Sequence, residues 1–102
     1  MNLFRNENSG FYAVEIGGLA CGGCEVLQSE ISEVLPSFPQ YKFVRLDMEK
    51  DMAEIEALAV TKIPALILFY QGKEFARAYG YQPAEILELW IDAKTEERLK
   101  QQ

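Results

Sequence analysis

Histidine is absent from the 102-residue chain. That removes the commonest general base near neutral pH and the commonest transition-metal ligand, so any chemistry must rest on cysteine, carboxylates and backbone groups. Cysteine is scarce as well: Cys21 and Cys24 are the two present. Two thiols cannot build a disulfide framework, and within one chain they cannot complete a four-ligand metal site. Basic residues are outnumbered, 10 Lys and Arg against 16 Asp and Glu, for a formal net charge of −6. Without a basic cluster there is no footprint for phosphates, which argues against nucleic acid or an anionic membrane as partner. No apolar run approaches the ~20 residues of a membrane span, and Met1 to Glu7 lacks the basic-then-apolar pattern of a secretory signal. The expected compartment is therefore the cytoplasm, where thiols are kept reduced and a vicinal cysteine pair is not expected to be a structural staple.

Internal repeats, low-complexity stretches and interior linkers are also lacking. What remains is an ordinary globular composition, 49% apolar and 25% charged. A chain of this length forms one domain, burying roughly 60–70% of the surface its unfolded form exposes. Nothing in the sequence calls for a second copy, so a monomer is expected. Residues 1–10 are polar, end in Asn8-Ser9-Gly10, and read as a flexible or short lead-in to a domain over 11–102.

The short run Phe11 to Ile16, aromatic and β-branched and stopped by Gly17-Gly18, predicts a central strand. Leu27, Ile31, Val34 and Leu35 then share one helical face, and Pro36 and Pro39 end that helix. Lys42 to Asp47 predicts a second strand and Ala53 to Leu58 a short helix. Ala65 to Tyr70 is the most apolar run; with the turn at Gln71-Gly72 and the partner Glu74 to Tyr79 it predicts a hairpin. Pro83 opens a last helix whose apolar stripe includes Ile86, Leu87, Trp90 and Ile91, with Trp90 in the core and a charged tail from Lys94. The order is β-α-β-α-β-β-α, an α/β fold with a mixed four-stranded sheet flanked by helices. The crossover makes the first two strands parallel and the hairpin makes the last two antiparallel.

The segment Gly17 to Leu27, GGLACGGCEVL, places C-x-x-C between the first strand and the first helix. In that setting the pair reads as a dithiol-disulfide couple. Cys21 falls at or near the helix N-cap, where unsatisfied N–H groups and the positive end of the macrodipole favour a thiolate. Cys24, about one turn further in, is expected to be more buried yet within reach of Cys21. Gly22 and Gly23 allow a tight turn that leaves the Cys21 sulfur unshielded. Three rival readings compete with an oxidoreductase: a non-catalytic binding or adaptor module, a glutaredoxin-like enzyme, and a dimer whose four thiolates hold a metal or iron-sulfur cluster. Glu15, an acid inside an apolar strand, is either turned to solvent or kept buried for a reason. Tyr79 and Tyr81 flank Gly80 near the expected site and either shape a substrate groove or divide between core and surface.

Over residues 11–95 these features together resemble the thioredoxin superfamily: the dithiol Cys21-Gly22-Gly23-Cys24, Ile63-Pro64, the strand and turn ALILFYQGKE, and Gly80 after the hairpin. The resemblance implies a thioredoxin-like fold with its N-terminal strand and helix shortened or absent. It implies a thiol-disulfide oxidoreductase in which Cys21 attacks, Cys24 resolves and Glu15 relays protons to the second cysteine, with Arg45 as its basic companion. Pro64 would be cis and face the dithiol, with Ile63, Gly22, Gly23, Gly80 and Tyr81 contacting substrate. Disulfide-containing proteins are the implied substrates, electrons come from a reductase or a small thiol, and no metal or cofactor is built in. The chain departs from the family pattern at Ala20, where a tryptophan is usual, at Gly23, where proline is common, and near Ser29, where a helix-kinking proline is common.

Overall fold

The computed structural model describes residues 3–19 and 21–101, so Ala20 lies outside the described residues. Four strands, β1 (Phe11–Gly17), β2 (Tyr41–Asp47), β3 (Ala65–Tyr70) and β4 (Lys73–Tyr79), and helices α1 (Gly22–Val34), α2 (Met52–Ala57) and α3 (Ala84–Leu99) follow the order β1-α1-β2-α2-β3-β4-α3. The sheet order is β2-β1-β3-β4, with β1 and β2 parallel and the other two pairs antiparallel. This is the mixed four-stranded sheet expected from the sequence.

All seven residues of β1 are buried because both faces of this strand are covered. The period of two sends Phe11 and Ala13 into the core under α1 and α3, with Leu27, Ile31, Leu87 and Ile91. Tyr12, Val14 and Ile16 enter a second core with Ile55 and Leu58. Pro36 falls in a short 3-10 turn, Leu35–Ser37, that closes α1.

Three regions differ from the sequence reading. Residues 3–10 are not simply a loose lead-in, because a 3-10 turn at Leu3–Arg5 buries Phe4 in the second core. Trp90 is half-buried at the edge rather than central, since α3 turns the line Ala84, Leu87, Ile91 and Thr95 towards the sheet. Thr95 is accommodated there by a 2.7 Å hydrogen bond with the Tyr41 hydroxyl and by donating to the Ile91 carbonyl at 2.6 Å. The same helix runs to Leu99 and absorbs most of the charged tail.

Arg77 on β4 holds the chain leading to Pro64. Its guanidinium donates to the Leu58 carbonyl at 2.7 Å and the Ala59 carbonyl at 3.3 Å, just beyond α2, and to the Glu74 carboxylate at 2.6 Å. Carbonyls left without intrahelical partners at a helix end thereby gain a cationic donor from the neighbouring edge strand.

Candidate active site

Cys21 occupies the N-cap of α1 with extended backbone, and Cys24 lies in the first turn. They are joined by a disulfide with Cα atoms 5.4 Å apart. Their exposure differs: Cys24 is 1% exposed and Cys21 is half-buried. What shelters Cys24 is the end of β1. A Cβ added at Gly17 would lie 3.2 Å from the Cys24 sulfur and 3.3 Å from a terminal nitrogen of Arg45, so this position admits no side chain without displacement.

The Ile63–Pro64 peptide is cis. Pro64 is buried against the dithiol loop, 3.5 Å from where a Cβ on Gly23 would stand. Its carbonyl accepts the Gly80 N–H at 2.8 Å, and Gly80 has φ +85°, a conformation that suits glycine. Cys21, Cys24, Gly23, Pro64 and Gly80 are thus brought together from three separate parts of the chain. The two tyrosines beside Gly80 part company. Tyr79 packs towards the second core and receives a hydrogen bond from Arg77 at 3.0 Å, whereas Tyr81 is 45% exposed.

On the other side of Cys21 lies an open cleft of about 390 Å³ bordered by Leu19, Glu25, Gln28, Arg45 and Asp47. Arg45 donates there to the Gln28 side-chain carbonyl. Sequence reasoning had no means of finding this partner, because Gln28 carries no pattern beyond helical polarity.

Glu15 is fully buried, and neither carboxylate oxygen has a hydrogen-bond partner among the described residues. It pairs in register with Arg45 on β2. Burial pushes its carboxyl above the ordinary value of 4.5, and the Arg45 charge opposes that in part. A carboxyl whose folded pKa exceeds its unfolded one stabilises the native state fully below pH 4.5, and that contribution is lost as pH rises towards the folded value. Glu15→Leu is therefore expected to gain on the wild type as pH rises, reaching an advantage of about 1–3 kcal/mol at pH 8. Urea unfolding of both proteins at pH 5 and pH 8 checks this, and an equal difference at the two pH values contradicts it.

Among the described residues no group of His, Cys, Asp and Glu is placed to hold a metal ion, and no helix is long and apolar enough to cross a membrane.

The fold and the half-exposed disulfide at a helix N-cap define a thiol-disulfide exchange domain. The thioredoxin family profile matches residues 6–93. The thioredoxin of Chlamydia muridarum is 30% identical over 86 residues, covering 84% of each chain. That of Staphylococcus haemolyticus is 26% identical over 92 residues, covering 89% of this chain and 88% of its own. The crystal structure of thioredoxin from Trypanosoma brucei brucei superposes with a TM-score of 0.76 at 18% identity, over 97% of this chain and 81% of its own. The chain belongs to the thioredoxin family. It is a thiol-disulfide oxidoreductase, and Cys21 and Cys24 are its redox pair.

Proposed function

We propose that the protein reduces disulfides of protein substrates, with Cys21 as nucleophile and Cys24 as resolving thiol. The difference in exposure between the two sulfurs carries the assignment: Cys21 is half-buried at the cap of α1 and Cys24 is almost fully enclosed. The positive end of the α1 dipole favours the thiolate of reduced Cys21 at its N-cap. That thiolate attacks one sulfur of the substrate disulfide, forming a mixed disulfide and releasing the first substrate thiolate. Cys24 gives up its proton and attacks the Cys21 sulfur, which frees the second substrate thiol and forms the Cys21–Cys24 bond. Two electrons pass from the dithiol to the substrate. A reductase or a small thiol then supplies two electrons to reopen the pair, and no further cofactor takes part.

Glu15 accepts the Cys24 proton in this reading. Its buried, unpaired carboxylate is supported as a base by the upward shift that burial imposes, and Arg45 limits that shift. Ile63, Pro64, Gly22, Gly23, Gly80 and Tyr81 hold an extended substrate segment in this reading, which the closeness of Pro64 to Gly23 and the Gly80 N–H bond to the Pro64 carbonyl support. We place the protein as a monomer in the cytoplasm, where a reducing thiol pool keeps the pair charged.

Trapping tests the two roles. Reduced Cys24→Ser is expected to accumulate a mixed disulfide on Cys21 when mixed with a disulfide-containing protein, read by mass spectrometry after peptide mapping. Adducts that instead accumulate on Cys24 in Cys21→Ser at a comparable rate reverse the assignment. Redox titration of the wild type against glutathione then sets the direction of exchange, since a reductase must hold its pair below the potential of its client.

A further inference from the structure

Glu30 lies on α1, the helix that carries Cys21 and Cys24 at its start, about two turns beyond Cys24. Its carboxylate reaches across to the segment between β4 and α3. One oxygen accepts the Ala84 N–H at 2.9 Å, and the other accepts the Tyr81 hydroxyl at 3.4 Å. Ala84 is the first residue of α3, and Pro83 at the N-cap supplies no side-chain cap. A carboxylate from a neighbouring helix thus satisfies one of the orphan N–H groups and faces the positive end of the α3 dipole. The other end of the segment is tied by the Gly80 N–H to the Pro64 carbonyl at 2.8 Å.

Residues 80–83 form no helix or strand, so these ties decide where the Gly80–Tyr81 wall stands. With Tyr81 45% exposed, packing does little to orient its ring, and the hydroxyl contact matters correspondingly more. We infer that Glu30 is a positioning residue: it holds the Gly80–Tyr81 wall in register with the cysteine pair, and so sets the affinity for protein disulfides without touching the sulfur chemistry. The inference rests on the proposed function, in which Gly80 and Tyr81 contact an extended substrate segment.

Steady-state kinetics separate this role from a merely structural cap. Glu30→Ala is expected to raise KM for insulin reduction about fivefold with kcat little changed, because what is lost is hydrogen bonding to the wall. Its rate with 5,5′-dithiobis(2-nitrobenzoate), a disulfide too small to need the wall, stays at the wild-type value. Glu30→Gln restores the wild-type KM, since an amide still accepts from Ala84 and can donate to the Tyr81 oxygen. Tyr81→Phe leaves the α3 cap in place, cuts the second tie alone, and raises KM about twofold. An unchanged KM in Glu30→Ala, or an equal fall in its rates with both disulfides, overturns the inference while leaving the proposed function standing. A wild-type protein that leaves insulin intact overturns the proposed function and this inference with it.

Discussion

Cys21→Ser is expected to lose dithiothreitol-driven insulin reduction by at least about a thousandfold, down to the rate of dithiothreitol alone. A serine hydroxyl stays protonated at neutral pH and cannot be a leaving group in thiol exchange, so neither the attack nor the resolution survives. The remaining thiol does not compensate. Cys24 is 1% exposed and lies against the end of β1, where Gly17 brings the backbone in so closely that an added Cβ would stand 3.2 Å from its sulfur. A protein disulfide cannot approach that sulfur in line. Insulin turbidity recorded with wild type, Cys21→Ser and no protein provides the comparison, and equal rates for wild type and variant contradict the nucleophile assignment.

Phe4→Ala is expected to cost about 3 kcal/mol of stability, the lower part of the range for removing a buried phenylalanine. Phe4 is 2% exposed and its ring centroid lies 4.8 Å from that of Phe69 and 6.5 Å from that of Tyr12. The core it joins has a helical cover of only six residues, α2, so the Leu3–Arg5 turn closes part of that face. The fit is close on the far side as well. A Cβ on Gly72, which has φ +82°, would lie 2.5 Å from the Arg5 carbonyl oxygen, so the hairpin turn and the N-terminal turn meet backbone to backbone. The value lies low in the range because an N-terminal turn can lift away instead of leaving an enclosed void. Against a total of about 5–15 kcal/mol for an ordinary domain, the loss is large. Urea or thermal unfolding measures it, and a change below about 1 kcal/mol means the turn adds little to the core.

Much of the architecture was legible because it is written locally. The hairpin follows from an apolar run, the Gln71-Gly72 turn and a second run at short distance. The parallel pair follows from a helix between two strands. The helical face Leu27, Ile31 and Val34 is read directly from spacing and is buried as expected. Periodicity was less informative where two alternatives share the same pattern. In α3 it favoured Trp90, but the helix turns Thr95 inwards because the Tyr41 hydroxyl offers that oxygen a partner. Phe4 is a lone aromatic in a polar stretch and generates no period at all.

The sequence by itself pointed to the chemistry: two thiols at a spacing of one helical turn, placed after a strand, read as a dithiol-disulfide couple, with an adaptor module and a dimeric metal site as its rivals. Tertiary structure decided the environment of that pair. Whether Glu15 is dry or solvated depended on what covers the Phe11 and Ala13 face of β1, on which the period of two also places Glu15 and against which α1 and α3 pack. Glu30 belongs to the polar side of α1, which spacing alone assigns to solvent, yet the segment before α3 passes over it. Spacing records which residues share a face. What covers that face is set by contacts between distant segments, and burial, charge and reach depend on that cover.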